Sequence, residues 1–276
     1  MADDVTVVIA TRNRWQQLRR SLPHSEGPVI LVDNGSTDGS PELVRSHFPS
    51  VQVVELGENR GACARNVGVE LARTPYVAFA DDDSWWDRRA LEVAADLFEH
   101  HPRLALLAGR ILVGNSERLD PICSAMAASE LGTAPDLPGP SVLGFLACAA
   151  VVRREAFLAV GGFDDVVFFF GEEERVALDL AARGWGLAYV EAVTAHHHPQ
   201  RAADRSGRAA LAVRNRVLTA VLRRPWSVVF KMVWAQLPQG RQALVGVLAA
   251  APRLRSAMRQ RRLLPASTEA DRRLLG

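Results

Sequence analysis

Three adjacent carboxylates, Asp81-Asp82-Asp83, follow the apolar run Tyr76 to Ala80. Neighbouring like charges repel, so such a cluster persists most easily where a divalent cation or hydrogen-bond donors neutralise it. If strand alternation continues past Ala80, Asp81 and Asp83 share a side. One can then hold a ribose hydroxyl while the other ligates a metal that bridges two phosphates. The competing reading is an acidic loop that caps a helix starting near Asp87, with an Asp or Ser as the cap. A second acidic group, Glu172-Glu173-Glu174, follows Gly171 and opens a predicted helix, where negative charge suits the helix dipole. His196-His197-His198 stand together at the end of a predicted strand, which marks them as a candidate site.

Residues of this kind need rigid elements to bring them together, and the sequence supplies these as alternating patterns. Val5 to Ala10, Val29 to Val32, Val51 to Leu56 and Tyr76 to Ala80 read as strands; Trp15 to Ser21, Pro41 to His47 and Ala62 to Ala72 read as helices. Alternation of that sort predicts an α/β fold with a mostly parallel central sheet flanked by helices. Ligands of such sheets sit at the carboxyl ends of the strands. Thr11-Arg12-Asn13-Arg14, Asp33-Asn34-Gly35-Ser36 and Asp81-Asp82-Asp83 all stand there, so three strand ends point at one site.

Farther on come a predicted strand, Leu104 to Val113, and an aperiodic stretch from Asn115 to Pro140 read as loops that shape a variable site. An apolar run from Phe145 to Val152, a helix from Arg154, a Gly161-Gly162 turn, a helix from Glu172 to Arg183 and a strand from Leu187 to Val190 follow. Beyond Arg208, Val213, Val217, Leu218, Val221 and Leu222 oppose Arg214, Arg216, Arg223 and Arg224, the pattern of an amphipathic helix. Further helices complete a helical C-terminal extension.

With 276 residues, 48% of them hydrophobic, the chain can bury a substantial core. Cys63, Cys123 and Cys148 are odd in number and form no CxxC pair, so neither a disulfide framework nor a zinc knuckle is indicated and a reducing cytoplasm is expected. The start, MADDVTVVIATRNR, lacks the basic segment and long apolar run of a secretory signal. Lys231, Pro238, Gly240 and Arg241 interrupt the apolar stretch from Trp226 to Ala251, so no spanning helix is predicted. The net charge of +2 conceals an asymmetry: residues from 201 onward carry 16 basic side chains against Asp204, Glu269 and Asp271, a net of +13, which leaves the first 200 at −11. A basic, partly apolar tail suits peripheral contact with the inner face of a membrane or with an anionic acceptor; a solvated helical face is the plainer reading. No aromatic-and-basic stacking pattern accompanies the charge, so nucleic acid is not expected as a partner.

Four segments, Val5 to Arg14 (VTVVIATRNR), Val29 to Gly39 (VILVDNGSTDG), Glu58 to Gly68 (ENRGACARNVG) and Val77 to Asp83 (VAFADDD), resemble in order and spacing the nucleotide-binding half of the family-2 glycosyltransferases. Gly161-Gly162-Phe163-Asp164, Gly171-Glu172-Glu173-Glu174 and the histidine cluster resemble the acceptor-side half. The resemblance covers roughly residues 5 to 200 and implies the GT-A fold: a nucleotide-sugar-binding half (1–114), an acceptor-binding half (115–200) and a basic helical region beyond (201–276). It implies an inverting transfer from a nucleotide-sugar donor of the UDP or dTDP type to a glycan, lipid-linked or small-molecule acceptor. Ala10, Thr11, Arg12, Arg14, Asp33, Asn59, Gly61, Arg65, Asp81 and Asp82 would bind the donor, and Asp83 would ligate manganese or magnesium, whose preference for oxygen suits carboxylate and diphosphate.

The family often places a histidine against metal or diphosphate; His196 is the first choice here and His198, sharing its face, the second, with a zinc site as a further reading. Where the family has Glu-Asp after glycine, with the aspartate as base, this chain has glutamates. Ungapped alignment puts Glu173 at the base position, and Glu172 remains its rival. Trp85 and Phe170 are candidates to line the acceptor region, with core packing the alternative for Trp85 or Trp86. A catalytically silent sugar-nucleotide-binding or scaffold protein is the second functional reading. The glycine-rich loop of nucleotidyltransferases is replaced by Ala10 to Arg14, and no GxGxxG follows the first strand, which counts against a nucleotidyltransferase and a dinucleotide-dependent oxidoreductase. Self-association is left open.

Overall fold

A computed structural model describes residues 4–199 and 207–275. Its first half alternates as the sequence predicts: β1 (Val5–Thr11), α1 (Trp15–Ser21), β2 (Val29–Asp33), α2 (Ser40–His47), β3 (Gln52–Glu55), α3 (Ala64–Leu71) and β4 (Tyr76–Ala80). β2 and β4 are buried along their whole length and β1 at all but Ala10, which is why they read as continuous apolar runs rather than as alternation. β3, β2, β1 and β4 lie side by side and parallel. Their register pairs Thr11 with Asp33 and Ile9 with Ala80, so the polar residues after each strand emerge along one edge.

Beyond β4 come β5 (Ser84–Trp86), α4 (Ala90–His100), β6 (Leu104–Val113), β7 (Arg118–Leu119), α5 (Pro121–Ala127), β8 (Ala150–Arg153), α6 (Arg154–Ala159), α7 (Glu173–Ala182) and β9 (Gly186–His197). The sheet continues from β4 through β8, β6 and β9 to β5, with β7 paired to β6. β8 is antiparallel to both its neighbours and β5 is antiparallel to β9, so the sheet is parallel in its first half and mixed in its second.

Three local expectations change. The helix placed near Asp87 begins at Ala90, after β5, with Arg89 (φ 65°) preceding it and no side-chain cap, so the Asp81–Asp83 cluster does not serve as its cap. The Asn115–Pro140 stretch holds β7 and the seven-residue α5, whose Asp120 accepts a hydrogen bond from the Ile122 N–H; elements this short leave almost no periodic signal. The strand expected over Leu187 to Val190 runs on to His197, placing His196 and His197 within it.

α8 (Arg208–Arg223) is the axis of the C-terminal region, and α9 (Trp226–Gln236), α10 (Arg241–Ala250) and α11 (Leu254–Arg259) pack on it. Val217, Leu218, Val221 and Leu222 form a second apolar cluster with Val166 and Val167 of the preceding half. Arg223 and Arg224, read from the sequence as part of a polar face, are buried: Arg223 pairs with Asp179, and Arg224 makes a two-pronged pair with Glu269 at 3.0 and 3.1 Å. Glu269 lies on α12 (Ala266–Leu274), which packs against α7. Among the described residues no helix is long and apolar enough to cross a membrane. The boundary expected at residues 200 and 201 lies outside the described residues.

The two halves are stitched together by Asn66, whose side chain donates to the Phe163 carbonyl (2.8 Å) and accepts from the Phe163 N–H (2.9 Å). Gly162 at φ +58° makes this approach possible, since a Cβ there would stand 2.4 Å from Asn66 Oδ1. Asn66→Ala removes both bonds and should lower unfolding stability by about 2 kcal/mol in urea titrations; an unchanged midpoint would show the stitch to be dispensable.

Candidate active site

The chain turns sharply after β4: the Ser84 N–H donates to the Asp81 carbonyl (3.2 Å), and the Asp81 N–H donates to Ser84 Oγ (2.8 Å). Asp81, Asp82 and Asp83 therefore occupy a turn, yet Asp81 and Asp83 both approach His197 while Asp82 is directed elsewhere, so the first and third share a side. Asp82 reaches back to the Thr11 hydroxyl (3.2 Å), and burial, with repulsion from Asp83 and Asp81, pushes its pKa up to about 7. Asp81 accepts from Arg65 at 2.6 Å. Arg65, only 6% exposed, directs its other terminal nitrogen to Glu172, 3.7 Å away. One guanidinium thus lies between the carboxylates of the two halves.

Glu172 is 2% exposed and one of its oxygens has no protein partner; burial, reinforced by repulsion from Glu173, raises its pKa against the opposing pull of Arg65. Glu173, the first residue of α7, is less enclosed, and its pKa is also raised, chiefly by burial.

Two cavities meet at Arg65 and Phe169, which line both. The smaller, about 260 Å³, takes Ala10, Thr11, Arg12 and Arg14 from the end of β1, Asn59, Gly61 and Arg65 from the approach to and first turn of α3, and Asp82. Asp33 is buried behind it, accepting from the Gly35 and Ser36 N–H groups and so shaping the loop after β2. Asn34, which also lines it, donates to the Gly61 carbonyl and accepts from the Arg60 N–H; it stood in the polar cluster of the sequence without being singled out.

The larger cavity, about 800 Å³, has Asp81, Glu172, Glu173 and His197 at one end and Ile122, Met126, Leu143, Phe145 and Phe170 among its apolar walls. Arg272, Leu274 and Leu275 complete it from the C-terminal region, with Arg272 bonded to Glu174 at 2.7 Å. No spacing in the sequence places residues 272–275 beside Glu174.

The wall between the cavities is Phe168 to Phe170. Phe168 and Phe170 have φ of 72° and 73°, a region that disfavours bulky side chains. The Asn215 amide, from α8, holds them by donating to the carbonyls of Phe169 (2.7 Å) and Phe170 (2.5 Å). Gly61, at φ +58°, allows the Ala62 N–H to reach the Phe168 carbonyl (2.7 Å), where a Cβ on Gly61 would stand 2.4 Å from that same oxygen.

Pairing of β5 with β9 sets Ser84 opposite His197, and this register decides which histidine meets the carboxylates. His197 Nε2 lies 3.4 Å from Asp83 Oδ1, and His197, Asp81 and Cys148 present ligand atoms within 4.8 Å of one another. The assignment of His196 and His198 is corrected: His196 stacks on Trp85 (5.7 Å between ring centroids) near Glu117 and Asp87, and the His198 ring lies 4.6 Å from Trp85. Alternation along β9 turns His196 away from the face that His197 shares with Asp83, and His198, just beyond the strand, packs on Trp85 instead. Trp85, sandwiched between these rings and His24, does not line the larger cavity as the sequence reading expects; Trp86 is core, and Phe170 is a cavity wall.

The donor set, carboxylates with one imidazole, fits a divalent cation, whose binding would displace the proton that Asp83 favours on His197 despite burial. Burial raises the Cys148 thiol far above its ordinary range, so it stays protonated and adds no thiolate.

Comparison with known proteins adds relatives. The family described as glycosyl transferase family 2 matches residues 6–161. Pre-mycofactocin glycosyltransferase of Mycobacterium tuberculosis is 36% identical over 213 residues, covering 73% of this chain and 44% of that protein, so this chain spans less than half the length of that relative. N-acetylglucosaminyl-diphospho-decaprenol L-rhamnosyltransferase of the same organism is 27% identical over 255 residues, 78% of this chain and 83% of that protein. Among solved structures, mannosyltransferase PcManGT from Pyrobaculum calidifontis, in complex with GDP-Man and Mn2+, superposes with a TM-score of 0.62 at 19% identity over 99% of this chain and 85% of that one. S. aureus TarS in complex with UDP-GlcNAc gives 0.58 at 16% identity, over 79% and 66%.

The raised pKa of Glu172 fixes the sign of a pH effect. The unfolded chain loses this proton near 4.5 while the folded chain keeps it to higher pH, so stability falls as pH rises above 4.5 until the folded group also ionises. Glu172→Gln removes that slope: between pH 5 and pH 8 its melting temperature should decline less than that of the parent protein, and parallel profiles would contradict the account.

Proposed function

Because the chain belongs to glycosyl transferase family 2 and has the GT-A fold, we propose that it moves a sugar from a nucleoside-diphosphate donor of the UDP or dTDP type to an acceptor hydroxyl with inversion at the anomeric carbon. The observation that carries this reading is the meeting of two cavities at Arg65 and Phe169, with carboxylates from both halves at the junction. The smaller cavity takes the nucleotide, held by Thr11, Arg12, Arg14, Asn34 and Asn59. Asp83 and His197 would hold manganese or magnesium, which when bound neutralises charge on the diphosphate oxygens. The complexes of PcManGT with GDP-Man and Mn2+ and of TarS with UDP-GlcNAc support a nucleotide-sugar donor and a cation in this fold.

Glu173 acts as base. It lines the larger cavity and is less enclosed than Glu172, whose carboxylate is engaged by Arg65. The acceptor oxygen attacks the anomeric carbon as its proton passes to the Glu173 carboxylate, and the bond to the diphosphate breaks with its electron pair leaving on the nucleotide. Inversion follows from a single displacement. The apolar walls suit an acceptor with an apolar portion, of which the lipid-linked acceptor in the rhamnosyltransferase's name is an example. The donor half (1–114) and acceptor half (115–200) keep their proposed roles, and the C-terminal region contributes the Arg272–Leu275 wall.

Glu173→Gln tests the base. Turnover of nucleotide sugar, followed as released nucleoside diphosphate, should fall at least ~100-fold while nucleoside-diphosphate affinity stays within about threefold. Undiminished turnover would remove Glu173 from the chemistry.

A further inference from the structure

The C-terminal helices present a surface that the transfer chemistry does not use. Eleven of the 17 large apolar side chains exposed among the described residues lie between Trp226 and Leu275, a concentration unlike the scattered apolar exposure of ordinary surfaces. On α9, Trp226, Phe230 and Trp234 recur every four residues on one face, exposed by 42, 67 and 76%. On α10, Leu244, Val245 and Leu248 are exposed, and on α11 Leu254 and Met258. All three helices pack their other faces on α8, so these residues point outward from the same support.

Charge identifies what would cover this face. From Arg205 to Thr268 the sequence contains no aspartate or glutamate. Exposed Lys231, Arg241, Arg255, Arg259 and Arg262 are interleaved with the apolar residues. Tryptophan and phenylalanine beside lysine and arginine, with no carboxylate among them, is the composition that lies in the headgroup layer of an anionic bilayer. The Arg-rich helix α8, which the sequence marks as amphipathic, is unsuited to that role because it is buried at the centre of the bundle.

We infer that the outer face of α9, α10 and α11 docks the protein on an anionic membrane surface, with Phe230, Trp234 and Leu248 inserted among the lipids and the basic residues at the headgroups. Each aromatic or leucine contributes by leaving water, and each cation by attraction that salt screens. Lipid binding needs neither donor nor base, so it stands or falls separately from the transfer reaction.

Co-sedimentation of the full chain with phosphatidylcholine vesicles, with and without about one third phosphatidylglycerol, reads this out. The protein should partition at least ~10-fold more strongly onto the anionic vesicles and be released by high salt. The combined Phe230→Ser, Trp234→Ser and Leu248→Ser variant should lose that partitioning while keeping its melting temperature and nucleoside-diphosphate binding. Lys231→Glu with Arg241→Glu and Arg259→Glu should lose it as well. Failure of the parent protein to bind either vesicle, or unaltered binding by both variants, would overturn the inference. So would a concentration-dependent dimer dissolved by the serine variant, which would give the face to a second copy of this chain.

Discussion

A guanidinium enclosed almost completely by protein is tolerable only when carboxylates accompany it, because desolvating a lone charge costs far more than folding can supply. Arg65 is held in that state between Asp81 at 2.6 Å and Glu172 at 3.7 Å, with the Phe163 ring beneath it at 5.8 Å. The converse is equally constraining. Asp81, Glu172 and Glu173 share the larger cavity and need a cation in their midst, which Arg65 supplies, while burial raises the pKa of Glu172, Glu173 and, in the adjoining turn, Asp82. Further positive charge would favour the ionised carboxylates, and a divalent cation would bring it while offsetting the negative charge of the diphosphate.

The fold exists around that constraint. Parallel strands deliver Thr11, Asp33 and Asp81 to one edge, α3 brings Arg65 across to them, and Asn66, one residue on, ties the acceptor half to the same helix. The Phe168–Phe170 wall is held in an unfavourable backbone conformation by Asn215 from α8. Residues far apart in sequence thereby fix the partition between the two cavities. α12 is locked in turn by the Arg224–Glu269 pair, so the end of the described chain becomes a wall of the larger cavity.

Much of this was legible in sequence, and the reason is physical. Buried parallel strands write themselves as uninterrupted apolar runs, and the residues after them must be polar where a ligand sits, so β1, β2 and β4 and the clusters behind them could be read directly. The pairing of β5 with β9 could not. β5 is three residues long, and its register alone decides that His197, rather than His196 or His198, faces Asp83. The burial of Arg223 and Arg224 was hidden for a related reason: helical periodicity reports which residues share a face, not whether a partner such as Asp179 or Glu269 will cover it.

The central claim is that the carboxylate turn after β4 and the cleft beside it form a metal-assisted nucleotide-sugar site. Calorimetric titration with a panel of nucleoside diphosphates, each with and without manganese, tests it most directly. The account predicts that one nucleotide binds in a manganese-dependent manner and that Asp83→Ala abolishes the metal dependence. Absence of binding by every nucleotide under both conditions would contradict it.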